Sequence, residues 1–140
     1  MIDRIDNALA ARDLGDDKQI TLFLKKAAFF NYQGEPRKAY EVLTKLRGKV
    51  EADAELAEKE LFTIIYLQGV TSLRLGENEN CVLCRGESAC IFPIRRAAIH
   101  TNPEGSRQAI THFTEYLQQF PDDIEVRWLL NLAYMTSSAV

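Results

Sequence analysis

Apolar side chains recur along most of this chain at intervals of three and four residues, the spacing of one face of an α-helix. No long stretch alternates apolar and polar positions, so the signals for β-strands are weak. The pattern predicts six helices: a short one near residues 2–9, then 18–33, 36–49, 54–75, 103–120, and one from about 124 nearly to the end.

Glycine, proline and capping residues separate these periodic segments. Gly34 is expected to stop one helix, and Pro36 suits the first turn of the next, where its missing N–H is not needed. Gly76 is expected to end the helix over 54–75. Asn102 is placed to cap the helix over 103–120, and Pro121, Asp122 and Asp123 are expected to end that helix and cap the last one.

The periodicity fails between residues 77 and 103, which we interpret as an irregular insertion. This stretch contains all three cysteines of the chain. Insertions into repeated helical units form loops on one face, and that face is often functional.

Length and charge narrow the class of protein. The 140 residues suffice for one domain, 1–140, and the net charge of −3 argues against nucleic acid as the main partner. No apolar run is long enough to span a bilayer, and acidic residues occupy the start, where a signal peptide would be apolar. As written, the chain is expected to be soluble and cytoplasmic; it would be extracytoplasmic if it were a fragment of an exported protein.

Two of the predicted helices share a small residue followed by large residues four and seven positions later. The small residue lets a neighbouring helix approach closely, and the large ones fill the space around it. The matching positions are Ala39, Leu43 and Leu46 in one helix and Ala109, Phe113 and Tyr116 in the other.

This spacing resembles the tetratricopeptide repeat, a helix–turn–helix unit of about 34 residues. The resemblance rests also on Ala27, Phe30 and Gly34 in the first unit, on Gly69, Gly76 and Pro121 in the second, and on Trp128, Asn131 and Tyr134 in a third. It implies an all-α solenoid of antiparallel helix pairs, about two and a half repeats long, with the cysteine-containing loop inserted in the second.

In tetratricopeptide arrays the first helices of the units line a concave groove. Carried over to this chain, the resemblance implies a mostly apolar groove that suits an amphipathic helix or an extended peptide. The residues expected to bind a partner there are Leu24, Asn31, Tyr66, Val70, Arg74, Trp128 and Leu132.

A second resemblance is narrower. Residues 79–81, 88–94, 100, 105–110 and 121–135 are similar to the helical N-terminal region of bacterial proteins that carry FG-GAP/VCBS propeller repeats and an ASPIC/UnbV domain. It implies that the chain is the helical part of a longer, often exported, protein.

The cysteines admit several interpretations. Cys81, Cys84 and Cys90, with His100 ten residues later, could hold zinc, although their spacing is irregular. Alternatives are a Cys81–Cys90 disulfide in an exported protein, a redox or nucleophilic thiol, and reduced cysteines that only pack the insertion. His100 and His112 are the candidate bases for such a thiol, although His112 by itself reads as a surface histidine.

The sequence therefore predicts a non-catalytic protein–protein interaction or scaffold module, with no catalytic residue and no cofactor. Its partner would be a protein or peptide, bound by the groove and the inserted loop, with neither nucleic acid nor membrane involved. Self-association through the C-terminal helix is compatible with the pattern. The alternatives are a metal-binding or redox-responsive module and a structural segment that packs on a downstream propeller.

Overall fold

Six α-helices make up the part of the chain that the computed structural model describes, which comprises residues 1–11, 13–81 and 102–137 and contains no strand. The predicted all-α class is confirmed for these residues. The helices are α1 (Ile2–Leu9), α2 (Asp16–Tyr32), α3 (Pro36–Glu51), α4 (Ala54–Cys81), α5 (Glu104–Gln119) and α6 (Ile124–Thr136). They divide into two compact units, Met1–Ile64 and Ile65–Val140, and the boundary lies within α4.

The turn between α2 and α3 forms as its residue types predict. Gly34 has a φ of 76°, a left-handed conformation that side chains with a Cβ disfavour. The Glu35 N–H then donates to the Phe30 carbonyl at 2.8 Å, and Pro36 is the first residue of α3. The chain therefore reverses here within three residues.

In the first unit, α2 and α3 run antiparallel. Lys49, near the end of α3, forms an ion pair at 2.8 Å with Asp16 at the start of α2. Lys26 of α2 pairs with Asp6 of α1, which ties the first helix to the second. One apolar cluster fills the interior, and its buried members are Ile20, Leu46, Val50 and Ile64.

In the second unit, α5 lies unusually close to α4. A Cβ added to Gly69 would lie 2.7 Å from Cδ1 of the Phe113 ring, and one added to Gly105 would lie 2.5 Å from the backbone nitrogen of Gly76. Such a crossing requires residues without side chains on the contact line. Gly69, one of the residues on which the repeat resemblance rests, is such a position.

The expectation that Gly76 ends α4 is wrong, because the helix continues to Cys81. Among the described glycines only Gly34 has a positive φ, so Gly76 does not act as a C-terminal cap. Its backbone lies beside Gly105 of α5 instead, where an added Cβ would be 2.5 Å from the Gly76 nitrogen and 2.8 Å from its Cα. Residues 77–81, assigned above to the insertion, are therefore helical, and 82–101 lie outside the described residues.

Asn80 and Asn102 lie on either side of residues 82–101 and are hydrogen-bonded to each other. The Asn80 side chain donates to the Asn102 carbonyl and accepts from the Asn102 N–H, each at 2.9 Å. Asn102 Oδ1 accepts from the Glu104 N–H at 3.2 Å, so Asn102 caps the start of α5. It lies two residues before the first residue of the helix, Glu104, instead of one as predicted. Asn80 is 3% exposed, which protects these hydrogen bonds from water.

The core of the second unit draws on all three of its helices. Its buried members are Leu73, Ala109, Phe113, Val126 and Ala133. Ser106 of α5 and Thr136 of α6 share a buried hydrogen bond at 2.8 Å, so these helices also run antiparallel. No described helix combines the length and the apolar character that crossing a bilayer requires.

Candidate functional site

The turn from α5 into α6 is organised by one carboxylate. Asp123 Oδ1 accepts from the Val126 N–H at 3.1 Å, the N-cap hydrogen bond that the sequence predicts. Asp123 Oδ2 accepts from the Tyr116 hydroxyl at 3.0 Å. The same side chain therefore starts α6 and orients Tyr116.

A second phenol and carboxylate pair links α4 with α6. The Tyr66 hydroxyl donates to Glu125 Oε1 at 2.7 Å, across a separation of 59 residues. This hydrogen bond stabilises the neutral phenol and, together with burial and the charges of Glu125 and Asp123, raises the pKa of Tyr66 to about 12. The pKa of Tyr116 is raised too, first by burial and then by its hydrogen bond to Asp123.

Three aromatic rings form a row beside these carboxylates. The ring centroids of Tyr66 and Tyr116 are 6.0 Å apart and those of Tyr116 and Phe120 are 5.1 Å apart, with interplanar angles of 53° and 42°. Tilted pairs at these distances are favourable aromatic arrangements. Phe120 ends the row and is 43% exposed.

The first turn of α6 adds exposed apolar groups. Ile124 is 78% exposed and Trp128 is 53% exposed, and positions four apart in a helix are neighbours on one face. Glu125 lies between them in sequence, three residues before Trp128. We call this set the aromatic–acidic surface, and its residues are Tyr66, Tyr116, Phe120, Asp122, Asp123, Ile124, Glu125 and Trp128.

The structure places the predicted groove residues in different surroundings. In the second unit, Tyr66, Val70 and Leu132 are partly buried against the core cluster, whereas Trp128 is exposed. Arg74 is also exposed on α4.

The two remaining groove residues belong to the first unit. Leu24 packs against its core cluster, and Asn31 is half-buried near the end of α2. The second unit therefore brings Tyr66 and Trp128 of the predicted set to one surface. The role of the whole set in binding stays a prediction.

The sequence pattern does not indicate that Phe120, Ile124 or the Tyr116–Asp123 pair belongs to a binding surface. The pattern indicates only that Phe120 lies at the end of one helix and that Asp123 lies in the segment that caps the next. The one available signal was the density of aromatic and acidic residues between 113 and 128.

His112 lies in α5 and is 7% exposed, so its interpretation as a surface histidine is wrong. It follows Ala109 by three residues and precedes Phe113, both of which are fully buried. The helical period therefore turns His112 toward the interior of the second unit.

Three of the four residues of the predicted cysteine site fall within residues 82–101. Cys84, Cys90 and His100 lie outside the described residues, and of Cys81 only the backbone is described, at the end of α4. Within residues 1–11, 13–81 and 102–137, no group of three or more His, Cys, Asp or Glu side chains is arranged to hold a metal ion. The zinc, disulfide and thiol interpretations stay predictions.

Replacing Glu125 with alanine is expected to lower the pKa of Tyr66 from about 12 toward 10, because the hydrogen bond and the nearby negative charge both favour the neutral phenol. The folded-state pKa lies above the unfolded value. The pair therefore stabilises the fold fully below pH 10, and this contribution is lost as the pH rises through about 12. NMR titration of isotope-labelled tyrosine rings measures the shift. Glu41→Ala, a remote surface change, is the control, and an unchanged Tyr66 pKa in Glu125→Ala would contradict the assignment.

The aromatic–acidic surface contains the types of side chain that bind other molecules at protein interfaces. Its phenols are oriented by carboxylates, and its exposed rings can cover apolar groups or attract cations.

Comparison of the chain with protein-family models, with curated proteins and with solved structures finds no match.

Proposed function

We propose that this chain is a non-catalytic interaction module that binds a peptide or a partner domain through the aromatic–acidic surface. The observation that carries the proposal is the exposure of Ile124 and Trp128 beside the ordered Tyr66–Glu125 pair. Contiguous exposed apolar groups with a polar rim mark interaction sites. Tryptophan and tyrosine are also the residues that most often dominate binding energy at protein interfaces.

Features of the second unit support a tetratricopeptide-like arrangement. Helices α4 and α5 cross at small residues, α5 and α6 run antiparallel, and Tyr66 of α4 reaches Glu125 of α6. Tyr66 and Glu125 are 59 positions apart in the sequence, about 25 more than one repeat of about 34 residues. An insertion within the second repeat, as the sequence predicts, accounts for that excess.

The proposed binding region includes the inserted loop because the residues that flank the loop, Asn80 and Asn102, are hydrogen-bonded to each other. The hydrogen bonds between Asn80 and Asn102 hold both ends of the segment at one end of the second unit. We propose that this loop contributes contacts next to those of the helices.

Selection from a random-peptide display library tests the proposal. We expect enriched peptides that bind the wild-type chain and shift the emission of Trp128, its only tryptophan, to shorter wavelength as the indole is buried. Trp128→Ala should weaken a selected, labelled peptide at least about tenfold by fluorescence anisotropy, as expected for a hot-spot residue.

Tyr32→Ala is the matched control, because Tyr32 is 87% exposed and lies on α2 of the first unit. Circular dichroism should show that both variants keep the helical content of the wild type. Equal peptide affinity for Trp128→Ala and the wild type would show that this surface is not the binding site. Failure to enrich any peptide would remove the peptide-binding form of the proposal.

A further inference from the structure

We infer that the partner of the aromatic–acidic surface is a cationic amphipathic segment, one whose apolar residues are flanked by lysine or arginine. This inference rests on the proposed function and names the chemistry of its ligand. The evidence for it is the charge of the residues around the exposed rings, on which the proposed function does not depend.

The charged residues that belong to the aromatic–acidic surface, Asp122, Asp123 and Glu125, are all acidic. Between residues 108 and 126 the sequence contains the carboxylates of Glu115, Asp122, Asp123 and Glu125 and no lysine or arginine. Asp122 and Glu125 are exposed, and in the described part of the chain neither forms an ion pair. The negative potential there is therefore available to a partner.

The nearest basic residues in sequence, Arg107 and Arg127, do not form ion pairs with Asp122 or Glu125 in the described stretch 102–137, to which all four belong. Arg107 precedes the acidic stretch and lies near the start of α5, at the opposite end of that helix from Phe120. Arg127 is exposed and follows Ile124 by three residues, so it borders one side of the surface, but it lies about 200° around α6 from Glu125.

The rings and the carboxylates suit the two parts of a basic side chain. The aliphatic stem of lysine or arginine can lie along Ile124 and Trp128, and its charged end can reach Glu125, one helical turn from the indole. A cation held over tryptophan or tyrosine also gains from the ring quadrupole. The partner's apolar residues would cover Phe120.

Other kinds of partner fit less well. A purely apolar segment would cover Asp122 and Glu125 without supplying a counter-charge, which is costly. An acidic segment or a nucleic acid would be repelled by the same carboxylates. Charge complementarity therefore favours the cationic segment.

Three synthetic helical peptides test the inference on the full chain. They share one apolar face and carry lysine, glutamine or glutamate at the flanking positions. We expect the lysine peptide to bind at least about tenfold more tightly than the glutamine peptide in low salt, and the glutamate peptide to bind least. Raising the salt from about 50 to about 500 mM should remove most of the lysine preference, because exposed charges are screened.

Two variants locate the charge effect. In Asp122→Asn/Glu125→Gln the ratio of lysine-peptide to glutamine-peptide affinity should fall to less than about twofold, because the attracting charges are gone. Glutamine at position 125 can still accept the Tyr66 hydrogen bond. Glu41→Gln/Glu58→Gln removes two exposed carboxylates from the first unit, gives the same net charge, and should keep the ratio.

The possible outcomes separate this inference from the proposed function. Equal binding of the lysine and glutamine peptides, lost in Trp128→Ala, would overturn the cationic partner and leave the interaction module standing. Binding of none of the three peptides, with no peptide enriched from the library, would remove both. Concentration-dependent self-association that Trp128→Ala abolishes would identify a second copy as the occupant and overturn the inference.

Discussion

Replacing Phe113 with alanine is expected to lower the free energy of unfolding of the second unit by about 3–5 kcal/mol, as for other fully buried phenylalanines. The Phe113 side chain is 0% exposed and belongs to the core cluster shared by α4, α5 and α6. Its ring fills the space over Gly69, which has no side chain that could move into the cavity. The loss is large beside the total stability of about 5–15 kcal/mol typical of a domain.

Urea unfolding followed by Trp128 fluorescence measures this change, because the single tryptophan lies in the second unit. Phe120→Ala is the matched control: it removes the same group from a residue that is 43% exposed and should cost less than about 1.5 kcal/mol. Gly69→Ala should also be less harmful in the Phe113→Ala background than in the wild type, since the new methyl group enters the vacated space. A loss below about 1 kcal/mol for Phe113→Ala would contradict the packing described here.

Replacing Gly105 with alanine is expected to destabilise the chain by about 3 kcal/mol or more, at the upper end of the cost of overpacking. The added Cβ would lie 2.5 Å from both the backbone nitrogen of Gly76 and the carbonyl oxygen of Ser72. These are main-chain atoms of α4, so they cannot move aside as a side chain could. The helices must separate, and the core contacts around Ala109 weaken with them.

Gly48→Ala is the control, and it should change the free energy of unfolding in the opposite direction. Gly48 lies within α3, is exposed, and has nothing within 4 Å of an added Cβ. Alanine there should raise the free energy of unfolding by about 0.5–1 kcal/mol, the gain in helix propensity over glycine. Thermal and urea unfolding followed by circular dichroism compare the two variants. Equal effects of Gly105→Ala and Gly48→Ala would show that α4 and α5 do not approach as closely as described.

Several elements of the structure could be predicted because their causes lie within a few residues of one another. Gly34 and Pro36 fix the α2–α3 turn through backbone torsions, and Asp123 caps α6 through a hydrogen bond three residues away. The interval from Ala109 to Phe113 indicated the inward face of α5, and both residues are fully buried.

Other features could not be predicted, because one residue type has two possible uses. A glycine near the end of a periodic segment can cap a helix or can lie within the helix at a close crossing, and Gly76 does the second, with its backbone beside Gly105. A histidine beside an apolar stripe can lie on either side of its edge, and His112 lies inside. In both cases a neighbouring helix decides, and local spacing contains no information about that neighbour.

By itself, the sequence determined, to within two residues, where the helices of the described chain begin, and which of their faces are apolar. These features follow from backbone torsions, capping and a period of 3.6 residues, all of which act over short distances. Only the tertiary structure decided that Tyr66 pairs with Glu125, that Tyr116 stacks beside Phe120, and that Ile124 and Trp128 stay exposed next to them. The reason is that these contacts depend on how helices far apart in the chain are brought together, and helical periodicity does not specify which helix packs against which.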